Sequence, residues 1–270
     1  VAAKLRKAKG KRVAAIAGDQ CDAESMFALQ SLMARIGSPN LDCRQDGAKI
    51  GGARSGYLFN SSIAGIDDAD ALLIIGSNPR VEAAVLNARI RRNWLATQMP
   101  VGVIGENADL TYATQWLGDK ASLLDDVLSG KNKFAAKLKK AKRPMIIIGM
   151  GALVRADGTS VLGKARQIAE KYGVVTDKWN GFNILHTAAA RVAGLDMGFV
   201  PDRGGMNIAA MAAAAKAGLT TSLHRRSARR SRLALGCLQS SSDVERTSQG
   251  GTHREAGDRR RGAPDGGGCL

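Results

Sequence analysis

Residues 71–80 read Ala-Leu-Leu-Ile-Ile-Gly-Ser-Asn-Pro-Arg, and residues 145–151 read Met-Ile-Ile-Ile-Gly-Met-Gly. Each is a short apolar run that does not alternate and that glycine stops. A strand with one wet face alternates; a strand of a parallel sheet covered on both faces does not. Val13-Ala14-Ala15-Ile16-Ala17, closed by Gly18-Asp19, has the same form. So does Val101-Gly102-Val103-Ile104 before Gly105, and Val174-Val175-Thr176 reads as a fifth, shorter strand.

Helical patterns lie between these runs. Met26, Leu29, Leu32, Met33 and Ile36 share one face of a helix that begins after Asp22 and stops at Gly37-Ser38-Pro39. Val85, Leu86, Ile90 and Trp94 form another face, with Arg89, Arg91 and Arg92 largely opposite. Leu123, Leu124, Val127 and Leu128 precede Gly130, Phe134 to Lys142 runs into Pro144, and Val161, Ala165, Ile168 and Ala169 follow the 145–151 run. Residues 182–194 and 206–218 read as Ala-rich helices. Strands alternating with helices predict an α/β fold: a parallel sheet with flanking helices in Rossmann-like layers. Residues 40–62 are polar and Gly-rich, a loop whose length points to a role of its own.

The usage of residues changes near Lys216. The last 54 residues hold no lysine, and residues 219–270 hold ten arginines, no Phe, Trp, Tyr or Ile, and many Gly and Ser. Such a segment buries too little apolar area to offset the entropy of ordering it. The expected organisation is therefore an α/β domain over residues 1–218 and a disordered or non-native tail over 219–270.

The formal charge of +16 resembles a nucleic-acid signature. Five of those charges belong to the tail, and the basic clusters at Lys4–Arg12 and Lys137–Arg143 have no aromatic side chains between them to stack on bases. No nucleic-acid partner is expected. Cys21, Cys43, Cys237 and Cys269 are far apart and His186, His224 and His253 are scattered, so neither zinc nor an iron–sulfur cluster finds a local ligand set. No apolar run approaches the length of a membrane span, so no direct membrane insertion is expected.

Three motifs invite chemistry. Gly149-Met150-Gly151 follows an apolar strand, but Val154 stands where a dinucleotide fingerprint needs Gly or Ala. Gly76-Ser77-Asn78-Pro79-Arg80 offers a capped helix start with an arginine beside it, an arrangement that holds anions or simply begins a helix. Asp67, Asp68 and Asp70 form an acidic trio without further oxygen ligands nearby, and a solvated approach to a strand is the expected role. No catalytic, cofactor-binding or metal-binding residue is assigned.

The longer wording resembles one family. Ala14-Ala15-Ile16-Ala17-Gly18-Asp19-Gln20-Cys21-Asp22-Ala23-Glu24, Tyr57 to Ile66, Leu73 to Ala83, Leu86 to Arg91, Asp109-Leu110-Thr111-Tyr112, Lys142-Arg143-Pro144-Met145 and Phe182 to His186 occur in order. Together they resemble the C-terminal region of the large iron–sulfur subunit (the G type) of NADH–quinone oxidoreductase, respiratory complex I, across residues 1–205. That resemblance implies a molybdopterin-oxidoreductase-like fold that usually holds no molybdopterin. It places the iron–sulfur clusters in an N-terminal region that this chain lacks. It also implies peripheral-arm subunits as partners, and a location on the cytoplasmic face of a bacterial inner membrane or the matrix side of the mitochondrial one. The chain would then be an incomplete piece, a scaffold supporting electron transfer from NADH to quinone without an active site of its own.

The resemblance also bears on the tail. The family continues with a motif like Ala-Asp-Val-Val-Leu-Pro, which is absent. Asp258-Arg259-Arg260-Arg261-Gly262-Ala263-Pro264-Asp265, written with CGN arginine codons and shifted by one base, permits those words. A frameshifted tail is the expectation. The alternative function is a molybdopterin- or nucleotide-binding oxidoreductase domain that uses the strand-end glycines and Gly76–Arg80.

Overall fold

The computed structural model describes residues 5, 7, 8, 10–217, 221–225 and 236–238. The chain enters β1 (Val13–Ala17), α1 (Ala23–Ile36) and β2 (Leu41–Asp42), then crosses the long loop to β3 (Ala71–Ile75). The one-turn helix α2 (Pro79–Glu82) and α3 (Ala84–Thr97) lead to β4 (Val101–Ile104) and β5 (Gln115–Gly118). Helices α4 (Leu123–Ser129) and α5 (Lys133–Lys140) return the chain to β6 (Pro144–Gly149), which α6 (Met150–Leu153) and α7 (Gly158–Lys171) follow. A hairpin of β7 (Val175–Thr176) and β8 (Trp179–Asn180) precedes β9 (Phe182–Leu185). Then come α8 (Arg191–Asp196), α9 (Ile208–Lys216), β10 (Thr221–Arg225) and β11 (Gly236–Leu238).

The larger sheet has the order β5-β4-β3-β6-β9, and every pairing in it is parallel. Its central strands serve two cores at once, because successive side chains point to opposite faces. Leu73, Ile75, Ile146 and Ile148 pack with α4, α5 and α7 on one side. Leu72, Ile74, Met145 and Ile147 pack with Ile90, Met99 and Leu110 on the other. This is why the runs at 71–75 and 145–149 are apolar throughout. Asp22 caps α1, its carboxylate accepting from the Ser25 N–H at 2.7 Å.

The α/β class and the parallel strands at 13–17, 71–75, 101–104 and 144–149 are as the sequence predicts. Three features differ. Residues 182–185, expected to open a helix, are β9: Phe182-Asn183-Ile184-Leu185 is short enough to read either way, and pairing with Ile146–Gly149 decides it. Val175–Thr176 belongs to an antiparallel hairpin with 179–180, outside the main sheet. β5 was invisible because Gln115-Trp116-Leu117-Gly118 sits at the sheet edge, where burial does not demand apolar residues.

A second sheet, ordered β11-β10-β1-β2, holds β1 between β2 and β10, both parallel to it. Val13 lies opposite Thr221 and Ala17 opposite Arg225. Residues 221–225, within the segment expected to be disordered or non-native, thus form a strand beside β1. A buried strand has peptide groups to satisfy on two sides, and the segment after α9 supplies one of them. The remainder of 219–270, with His253 and Cys269 and the expectation of disorder, lies outside the described residues. Among the described residues no helix is long and apolar enough to cross a membrane.

The Gly-rich loop has a structural task. Its end covers the outer edge of β9: the Leu58 carbonyl accepts from the Ile184 N–H at 3.0 Å, and Phe59 bridges Asn183. The buried Asn183 Oδ1 accepts from the Ser61 N–H at 2.9 Å. Arg54 and Tyr57 both reach Asp196 in α8, at 3.0 and 2.8 Å.

Candidate functional site

In an open α/β sheet, ligands lie beyond the carboxyl ends of the strands where the strand order reverses. Here the chain runs outward from β3 to β4 and β5 and then returns to β6 on the other side of β3. The reversal falls between β3 and β6, the two strands whose ends carry Gly76–Arg80 and Gly149–Gly151.

Those ends are packed on one another. Gly76 adopts φ +59°, open to glycine at no steric cost. A Cβ there would lie 2.4 Å from the Ala152 Cβ. A Cβ at Gly149 would lie 2.4 Å from the Ser77 Cβ and 2.6 Å from the Gly76 carbonyl oxygen, and one at Gly151 would lie 2.7 Å from the same oxygen. The Gly76 N–H donates to the Ile104 carbonyl at 2.8 Å. These glycines let two loops approach each other.

The helix start at Asn78-Pro79 is also self-satisfied. Glu82 turns back on it, its carboxylate accepting from the Ser77 hydroxyl and the Asn78 N–H, both at 2.9 Å. Arg80 pairs with Asp109 at 2.7 Å. Hydrogen bonding to the Thr111 N–H and, after it, the Arg80 charge hold the Asp109 carboxyl below its ordinary pKa. The anion that Gly76–Arg80 is suited to hold is thus the chain's own Glu82. Replacing Glu82 with Ala should lower stability by about 1–2 kcal/mol, the scale of a lost cap and charged hydrogen bonds. An unchanged urea midpoint would show that this contact contributes nothing.

Beside this packing lies a cavity of about 300 Å³ at the ends of β3, β4 and β5. Ile75, Ile104, Leu124 and Val161 floor it, and Glu82, Glu106, Asp119 and Arg155 stand at its rim. Arg155 is turned onto Asp157 at 2.8 and 3.0 Å. The rim is therefore acidic. A pyrophosphate-bearing pterin or a dinucleotide brings negative charge to that acidic rim, where the one lining cation, Arg155, is already committed to Asp157, so these side chains do not fit such a group.

The acidic trio diverges. Asp67 accepts from Arg89 and Arg92, at 2.6 and 2.5 Å, Asp68 pairs with Arg143 at 3.0 Å, and Asp70 accepts from the N–H groups of Lys142 and Arg143 at 2.7 and 2.9 Å. Hydrogen bonding to Arg89 keeps Asp67 below the usual carboxylate range. The trio fastens α3 and the start of β6 to the approach of β3, and among the described residues no group of acidic, Cys and His side chains is arranged to hold a metal.

Cys43 is buried, and that burial, with the neighbouring Asp42 charge, pushes its thiol up to about 11, so it remains protonated. Cys21 lies apart and accepts from the Gly18 N–H at 3.2 Å. His224 and Cys237 fall in β10 and β11.

Sequence reasoning missed Arg191. Its side chain is 1% exposed and donates to Asp46 at 3.0 Å, with Asp19 at 3.8 Å. It joins the loops after β1, β2 and β9. His186 lies in the same region, its Nε2 2.6 Å from the Tyr57 carbonyl. Three buried side-chain atoms there, Asp19 Oδ1, His186 Nδ1 and Arg191 Nε, have no hydrogen-bond partner. A lone arginine between Ala190 and Val192 has no periodic signature, so only the meeting of distant loops reveals it.

Burial, with the Arg191 charge adding to it, holds the His186 imidazole below its ordinary pKa; the Tyr57 hydrogen bond and Asp46 oppose the shift. The unfolded chain takes up its proton near pH 6.5, before the folded site does. Stability contributed by the neutral imidazole should therefore be complete at pH 7.5 and fall as pH drops through the ordinary histidine range. Urea midpoints from pH 7.5 to 5.5 test this: His186→Gln should flatten the dependence, and an identical slope would reject it.

Comparison with known proteins places these observations. A molybdopterin oxidoreductase family model matches residues 1–226. The mitochondrial protein named NADH dehydrogenase [ubiquinone] iron-sulfur protein 1 of Solanum tuberosum is 41% identical over 203 residues, covering 75% of this chain and 28% of its own length. Proteins named as the G subunit of NADH-quinone oxidoreductase, from Rickettsia bellii and Rickettsia conorii, are 40% and 41% identical over 200 residues, covering 74% of this chain and 29% and 30% of their own. The chain thus spans less than a third of the length of the curated relatives it matches.

Proposed function

The chain belongs to the molybdopterin oxidoreductase family, and we propose that within it this chain is a structural domain of a large NADH-quinone oxidoreductase subunit, without redox chemistry of its own. The observation that supports this most directly is the make-up of the reversal between β3 and β6. There Gly76 packs closely against Gly149, Gly151 and Ala152, the helix start is held by Glu82, and the cavity that these turns border has an acidic rim. The relatives' printed names give the reaction class, and their length leaves room elsewhere for the iron–sulfur centres that one of the names mentions.

In this reading the partners are other subunits of the peripheral arm, and the location is the aqueous side of a membrane-bound complex. The domain holds neighbouring segments at a fixed spacing, which a doubly covered parallel sheet does well because its core resists deformation.

Two measurements test the reading. Purified chain should be colourless, with iron and molybdenum far below one atom per chain; stoichiometric molybdenum or pterin would favour the oxidoreductase alternative. A G-type subunit from a cultivable bacterium, with residues 10–205 of this chain replacing its matching segment, should assemble into membranes that oxidise NADH with quinone. Failure to assemble while the unmodified subunit does would overturn the proposal.

A further inference from the structure

Arg191 is buried with needs that the protein around it does not meet. Its side chain is 1% exposed, and its Nη2 has one close partner, Asp46 at 3.0 Å, and a distant one, Asp19 at 3.8 Å. Its Nε–H has no acceptor among the described residues. Two buried acceptors in the same region lack a donor. One is Asp19 Oδ1. The Asp19 carbonyl accepts from the Ala190 N–H at 2.9 Å, which holds that residue beside Arg191. The other is His186 Nδ1. The Nε2 of that ring lies 2.6 Å from the Tyr57 carbonyl. A carbonyl can only accept, so Nε2 carries the proton, and in the neutral ring Nδ1 is an acceptor.

The unmet needs are thus of opposite kinds, one donor and two acceptors. An anion would serve Arg191 and be repelled by Asp19. A metal cation would serve Asp19 and His186 and be repelled by Arg191. Only a molecule that both accepts and donates serves all three. We propose that one ordered water binds here, accepting from the Arg191 Nε–H and donating to Asp19 Oδ1 and His186 Nδ1. Buried waters make about three hydrogen bonds to otherwise unsatisfied polar groups, which is the number these atoms offer. The Asp19 side chain is 43% exposed, so the site lies just beneath the surface and solvent has a route to it. The water completes the tie among the loop after β1, the turn after β9 and the start of α8. This goes beyond the scaffold reading and does not rest on it.

The test uses the full 270-residue chain carrying nitrogen-15 histidine, observed by NMR near pH 7.5, above the ordinary histidine range. His224→Gln and His253→Gln assign the other two rings, leaving His186 by elimination. Its Nε2 should be protonated, and its Nδ1 should resonate as an acceptor that receives a hydrogen bond. The ring proton between the two nitrogens should cross-relax with a water that stays bound longer than the protein tumbles. Bromide in place of chloride, or caesium in place of sodium, should move neither signal. A free-acceptor Nδ1, an imidazolium at this pH, a signal that follows the added ion, or no long-lived water beside the ring would overturn the proposal. A crystal structure of the same chain should place one water within about 3.2 Å of all three atoms. An ion or a side chain in its place, or a water that misses any of the three, would overturn it equally. Failure here leaves the chimera and metal measurements above unaffected.

Discussion

Replacing Ile147 with Asp is expected to unfold the domain at room temperature or to cost more than about 3 kcal/mol, because an unpaired carboxylate would be left in the core. Ile147 is completely buried in β6, between Ile74 of β3 and Asn183 of β9, and its side chain faces Leu72, Ile74 and Met145. Neither water nor a cation reaches that position. Ile74→Asp should behave alike. Chemical denaturation followed by circular dichroism decides it, and a wild-type melting curve for the Ile147 variant would mean that the sheet assignment is wrong.

The second large effect concerns the arginine that joins the loops. Removing Asp46 by substitution with Ala would leave the Arg191 guanidinium buried with only Asp19, at 3.8 Å, as counter-charge. Stranding one partner of a buried pair costs about 3–5 kcal/mol. Part of that cost should be recovered in the Asp46→Ala/Arg191→Met double variant, where an apolar side chain of similar length fills the space. A double-mutant cycle in urea reads the coupling directly. Additive losses would show that the pair is solvated and that Arg191 does not lock these loops together.

Much of the fold was legible. Apolar runs at 13–17, 71–75, 101–104 and 145–149 became strands because a strand covered on both faces must be apolar at every position, a demand that leaves a mark in the sequence. What escaped were elements whose identity depends on a neighbour. Phe182–Leu185 is a strand because it lies beside β6, and Gln115–Gly118 is one because β4 has an open edge. Both segments are four residues long, too short for periodicity to distinguish strand from helix.

The candidate site was legible in its parts and not in its use. Gly76–Arg80 and Gly149–Gly151 stood out from the sequence, and the structure brings them together. Their closeness explains the glycines: each is small so that the other loop can touch it. The acidic trio likewise resolved into separate ties to Arg89, Arg92, Arg143 and the 142–143 backbone.

By itself, the sequence determined the α/β class, the parallel strands and their flanking helices, and the break in residue usage near 216, since each of these is a local pattern of burial or composition. Tertiary structure alone decided the strand order, the splitting into two sheets, the packing of the two glycine turns at the reversal between β3 and β6, and the burial of Arg191 among Asp19, Asp46 and His186. The physical reason is range. Burial of a residue acts on its own identity and repeats with the period of its helix or strand, whereas a contact between residues more than a hundred positions apart imposes no period on either segment.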